Sequence, residues 1–288
     1  MNIRNAAVAG TWYPGTAPAL AAAVDGYLAA AAEHPAPAEL SDLVALVAPH
    51  AGLMYSGPVA AHAYRLLRNR TVRLVVLVGP SHFVAFDGVS IHRAGGFDTP
   101  LGIVEIDEAC AAAVMAAAPI VHERAAAHAR EHSLEMQLPF LKRLAPEARI
   151  VPLVMGRQDA ATADALGDAL GGVLRGRQAL LVASTDLSHY YDAPTASRLD
   201  AVVIDHVSRF DADGLQRALD ARPEHACGGG PTVAVMRAAR HLGARDGVIL
   251  RYADSGDVSG DKSAVVGYLA AALGNLASRG AREEREES

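Results

Sequence analysis

The sequence predicts an α/β fold, a single domain with a largely parallel central sheet flanked by helices. Three observations carry this expectation. The runs LVALVAPHAG (43–52), LVVLVGPSH (74–82) and LLVASTDLSH (180–189) are rich in Val, Leu and Ala and stop at Gly, Pro, Ser or Asp, as strands buried on both faces do. Ala-rich segments of helical spacing alternate with them, the pattern of βαβ units. His50 and His82 stand 32 residues apart at the ends of the first two runs, close to the length of one such unit. His50, His82 and His189 are therefore expected to leave the sheet at one edge, where open α/β sheets gather their chemistry.

Each element follows in order. APALAAAVDGYLAAAAE (17–33) reads as a helix ended by the Pro-rich stretch HPAPAELSD, and GPVAAHAYRLLRN (57–69) as the crossover helix between the first two strands. FDGVSIHRAGGFDTPLGIVEID alternates apolar and polar residues around GG and TPLG turns, which predicts an antiparallel insertion rimming the site. Residues 107–119 and 162–176 read as helices, 133–146 as an amphipathic helix interrupted by Pro139, and 149–156 as a strand. Residues 197–220 are expected to be largely helical, 231–243 a helix entered through GGG, 248–256 a strand, and 262–273 a last strand joined to a last helix. The domain is expected to span 1–276, with the charged tail 277–288 disordered because it has no apolar face.

Composition narrows the function classes. With 51% hydrophobic and 20% charged residues the chain can bury a core, and a net charge of −6 without a Lys/Arg cluster disfavours a nucleic-acid partner. No signal-peptide core or membrane-length apolar run is present, so a soluble cytoplasmic protein is expected. Two cysteines in 288 residues exclude a disulfide framework. His34, His92, His122 and His241 have surface-like neighbours and are read as solvated.

The remaining chemistry-bearing residues fall into a few motifs. His50 in APHAG and His82 in GPSH occupy matching strand ends, so two imidazoles are expected in one crevice. Cys227 in HACGGGPT precedes a helix, where the dipole would favour thiolate, while Cys110 inside an Ala-rich helix reads as core. A His, His, Cys set suits iron, copper or zinc. In STDLSHYYD, Asp186 could orient a metal-bound imidazole and His189 act as acid or base; an Asx turn is the plainer alternative for Asp186. REHSLEMQLPFL places Glu135 on one helical face with Glu131 and His132, which keeps His132 as a pocket residue, and a solvated helix start accounts for one of the two glutamates. The HExxH spacing, a P-loop, GxGxxG and GxSxG are all absent, which excludes the chemistry each supports.

RNAAVAGTWYPG, APHAGLMYSG, GPSHF, DTPLG, EHSLEMQLPFL, STDLSHYYD, ACGGGP and YADSGD followed by VVGYLA occur in this order from about residue 4 to 273. The ordered set resembles the Memo family, also called AmmeMemoRadiSam system protein B. The resemblance implies a fold similar to LigB-type class III extradiol dioxygenases, which are non-haem Fe(II) enzymes. It implies metal ligation by His50, His82 and Cys227, and supporting roles for Asp186, His189, His132 and Glu135. Fe(II) is the metal it favours, with copper or zinc fitting the same donors. AMMECR-type and radical-SAM partners are implied too.

A thiol where the dioxygenases use a carboxylate departs from their pattern. Three functions therefore compete. The first is a metal-dependent oxidoreductase, the second a metal-handling or partner-peptide-binding protein without turnover. The third is a Cys227 nucleophile with His50 or His82 as base.

Overall fold

In chain order the strands are β1 (Ile3–Arg4), β2 (Leu40–Ala48), β3 (Leu74–Pro80), β4 (Val89–Ile91), β5 (Gly96–Phe97), β6 (Val104–Glu105), β7 (Val121–Glu123), β8 (Arg149–Met155), β9 (Leu180–Ser184), β10 (Asp186–Tyr191), β11 (Asp246–Asp254) and β12 (Val265–Leu276). A computed structural model describes residues 2–277; the tail expected to be disordered lies, beyond Ala277, outside the described residues.

Strands β2, β9, β3 and β8 form the parallel centre of a mixed sheet that has nine strands among the described residues. Ala45, Leu181, Val76 and Val151 lie side by side in register and are fully buried. Every residue of β3 and β9 is buried, because helices cover both faces and leave no polar side to alternate with. On one flank β4 pairs antiparallel with β8 and parallel with β7. On the other, the second half of β12 runs antiparallel to β2, its first half takes β10, and β11 lines its opposite edge. The small sheet β1, β5, β6 holds the N-terminal segment beside the insertion.

Three local expectations change. Residues 262–273 were expected to include a helix, yet 265–276 are one strand. Ala270, Ala271 and Ala272 are fully buried in the sheet with helix Leu53–Tyr64 packed on it, so tertiary burial overrides the helical preference of alanine. Pro139 does not interrupt a helix. It stands in the first turn of Leu138–Leu144 after a 3-10 turn at Glu135–Gln137, where its missing N–H costs nothing. His189 is not at the end of β9: the chain turns at Thr185 and continues as β10, with His189 opposite Val266 of β12.

No helix among the described residues is long and apolar enough to cross a membrane.

Candidate metal centre

His50 and His82 each lie two residues beyond their strand ends, Ala48 and Pro80. Since β9 runs between β2 and β3, the two backbones are about 9.6 Å apart at the usual strand spacing. The imidazoles lean toward each other across that gap, with ring centroids 5.1 Å apart. His132 closes the group, 4.5 Å from the His82 ring and nearly parallel to it, and 5.6 Å from His50. One donor nitrogen from each of His50, His82 and His132 lies within 4.8 Å of the others. His50 and His132 are buried, while the His82 side chain keeps 26% of its surface open to solvent.

Two buried glutamates place His132. Glu131 accepts the His82 backbone N–H at 2.6 Å, His82 Nδ1 at 2.8 Å, and the N–H groups of His132 and Ser133 at 2.9 Å. Glu135 pairs with Arg4 and accepts Ala7 N–H at 2.8 Å, Val8 N–H at 3.0 Å and Tyr13 O–H at 2.7 Å. It thereby straps the N-terminal segment over the crevice, where the Trp12 ring lies 4.2 Å from His132. The sequence reading of one solvated glutamate is thus overturned: Glu131 is 3% and Glu135 0% exposed. Nor do Glu131 and His132 share a helical face with Glu135, since the 3-10 turn begins only at Glu135.

On the far side of His50 lie Cys227, Asp186 and His189. Cys227 Sγ is 3.3 Å from His50 Nε2 and accepts the Asp186 N–H at 3.3 Å. It does not join the three nitrogens in the mutually close set. Asp186 Oδ1 accepts the backbone N–H groups of His50 at 2.7 Å and Ala51 at 3.3 Å, fixing the loop that presents His50. His189 Nδ1 donates to the Leu187 carbonyl at 2.8 Å, and its ring lies close enough to influence the charge of both His50 and Asp186. Cys110 is wholly buried. His92, expected at the surface, is also buried, packed on Phe97 and His128.

The electrostatics favour neutral donors. Burial, reinforced by His82, holds the His50 pKa well below its ordinary value, and burial with His50 and His82 brings that of His132 down to about 3. Burial raises the Asp186 carboxyl to about 6 against the hydrogen bonds from His50 and Ala51. Burial, then Asp186, pushes the Cys227 thiol up, so the expected lowering by the following helix is overcome by desolvation. The residues fit a metal ion: three imidazoles converge, and the buried Nδ1 of His132 has no hydrogen-bond partner among the described residues.

Outside the cluster, Phe83, Phe86 and Arg157 line a cleft of about 600 Å³ that opens beside His82. Trp12 is exposed against His132 and Phe83 against His82 and His132, while Tyr190 is exposed beside His189. Tyr190 adopts φ 64° within an irregular stretch of β10, an unfavourable conformation for a bulky residue.

Sequence reasoning missed Ser184, whose Oγ lies 2.9 Å from His50 Nδ1, and Gln137, whose Nε2 donates to that Oγ at 2.8 Å. Nothing in STD or EMQ marks them; only the strand order β2, β9, β3 brings Ser184 to His50.

Together these features define a mixed α/β protein with a histidine-lined, metal-compatible crevice at the carboxyl edge of its parallel strands. A family model described as Memo-like protein matches residues 4–272. MEMO1 family proteins of Methanothermobacter thermautotrophicus and Methanopyrus kandleri are 39% and 41% identical to this chain, covering 92% and 79% of it and 98% and 82% of their own lengths. The chain belongs to the Memo family. A crystal structure of an uncharacterized protein from Escherichia coli K12 shares the fold, with TM-score 0.54 and 18% identity over 79% of this chain and 99% of that one.

Proposed function

We propose that this protein is a metal-binding, non-haem iron dependent oxidoreductase related to the extradiol dioxygenases, with copper as the alternative ion. The observation that carries the proposal is the convergence of three nitrogens from His50, His82 and His132 within 4.8 Å of one another. His50 and His82 would hold the ion, with Cys227 and His132 as the further donors that flank His50. A redox-active ion there would supply electron transfer and Lewis-acid polarisation of a bound substrate. His189 and Asp186, beyond Cys227, are the groups left to move protons or orient substrate, and His132 shares that task where Cys227 serves as ligand. The cleft beside His82 offers room for a small molecule.

A second reading, capture of a metal or partner peptide without turnover, is favoured by the exposed rim of Trp12, Phe83 and Tyr190.

Anaerobic purification followed by metal analysis tests the proposal. Near-stoichiometric iron or copper in the parent, lost in His50→Ala and His82→Ala, is expected, and Cys227→Ala and His132→Ala apportion the remaining donors. A parent that binds neither ion after reconstitution refutes it. Oxygen consumption by the loaded protein in a substrate screen separates turnover from binding alone.

A further inference from the structure

We infer that Glu131 is the positioning residue that sets the tautomer of both strand-end histidines, leaving each with an unprotonated Nε2. The purpose of this device rests on the metal-binding reading above; its content rests on hydrogen bonds alone.

The direct arm runs to His82. An ionised carboxylate only accepts hydrogen bonds. Glu131 Oε1 lies 2.8 Å from His82 Nδ1, and Oε2 takes the same residue's backbone N–H at 2.6 Å. When the ring carries one proton, that proton must then sit on Nδ1 and the lone pair on Nε2.

The relayed arm runs to His50. Glu131 Oε1 also accepts the Ser133 N–H at 2.9 Å, which anchors the residue whose carbonyl, in the next peptide unit, faces Ser184. The Ser133 carbonyl accepts the Ser184 hydroxyl at 2.6 Å, which uses the only proton Ser184 Oγ has. Gln137 Nε2 donates to the same oxygen at 2.8 Å, its amide orientation fixed by donation to the Pro49 carbonyl at 3.1 Å. His50 Nδ1, 2.9 Å from Ser184 Oγ, meets an oxygen with no proton to give, so it donates. Its lone pair is again on Nε2, which faces Cys227 Sγ at 3.3 Å. One buried carboxylate thus biases two ligands on strands that are not adjacent. This is the task that carboxylates behind metal-bound histidines perform, usually for one ring each.

The test reads the rings directly in metal-free protein. Long-range proton–nitrogen spectra of histidine-¹⁵N-labelled protein, assigned with His50→Gln and His82→Gln, should show both rings as Nδ1–H. In Glu131→Ala both rings should lose that preference, and affinity for Co(II) or Fe(II) should fall about 10- to 100-fold. Glu131→Gln, which can keep an oxygen at the Oε1 position, should retain both tautomers even where it lowers stability. Ser184→Ala should shift His50 and leave His82 unchanged. Glu131→Ala protein with native circular dichroism and both rings still Nδ1–H would overturn the inference. Should that variant not fold, retention of Nδ1–H at His50 in Ser184→Ala, or its loss at His82 in Glu131→Gln, overturns it instead. A parent that binds no metal refutes the proposed function and leaves the tautomer result standing.

Discussion

Replacing Glu135 should release the N-terminal strap and, with it, one wall of the crevice. Its carboxylate is fully buried against Arg4, whose side chain is 5% exposed, and it also satisfies Ala7 N–H, Val8 N–H and Tyr13 O–H. Removing one partner of a buried pair costs about 3–5 kcal/mol because the other charge is left without compensation. Each orphaned N–H or O–H would add about 1–3 kcal/mol if it stayed buried. These costs do not sum, since residues 4–13 can detach and hand their polar groups to water, so the loss is capped by the free energy of local opening. Glu135→Ala is therefore expected to destabilise the protein by about 3–5 kcal/mol, lowering Tm by about 6–20 °C at 2–4 °C per kcal/mol. Trp12 is the sole tryptophan of the chain and rests on His132, so its fluorescence reports the strap selectively. Red-shifted emission and greater acrylamide quenching should appear at temperatures where far-ultraviolet circular dichroism is still native. Unchanged emission together with a loss under about 1 kcal/mol would show that Glu135 does not anchor the strap.

Two further perturbations probe the ground around the site. His128 is 1% exposed, and burial, followed by His92 and Arg4, brings its pKa down to about 3. An unfolded histidine titrates near 6.5, so the contribution of the neutral ring is fully present above that pH and is lost as pH falls toward about 3. At about 1.4 kcal/mol per unit the loss reaches at most about 4–5 kcal/mol. His128→Phe should flatten the urea midpoint against pH over this window, and an unaltered slope would refute the assignment. A Cβ on Gly79 would lie 2.8 Å from both Ser133 Oγ and Leu134 Cδ2. Gly79→Ala should cost about 1–3 kcal/mol and, on the proposed function, weaken metal binding by displacing the segment that carries His132. Gly26→Ala, in open space within helix Ala17–Ala32, should be neutral or stabilising; equal urea midpoints for the two variants would rule out the steric account.

Much of the parallel centre was legible because β2, β3 and β9 are apolar runs with abrupt polar ends, and matching tips at His50 and His82 need only the length of a βαβ unit to be paired. The fate of Asp186 and His189 was not, since STDLSH carries no mark of the turn at Thr185 that starts β10. Alanine gave the wrong impression in 262–273, where its helical preference yields to a slot in the sheet that only small side chains fill. One of Glu131 and Glu135 read as a solvated charge, yet both are buried, which acidic residues seldom are. Their partners are 49 and 131 positions away, beyond any local periodicity.

That separation in sequence also orders events in time. His50 and His82 cannot become neighbours across β9 until residues 180–184 have been made, and the contact from Cys227 to His50 spans 177 positions. Closing such long loops is entropically costly until many contacts form together. A ribosome-bound chain that ends before β9 would carry both histidines as isolated, weakly chelating groups. The arrangement of His50, His82 and Cys227 therefore belongs to the finished domain, and on the proposed function an ion would be taken up after folding.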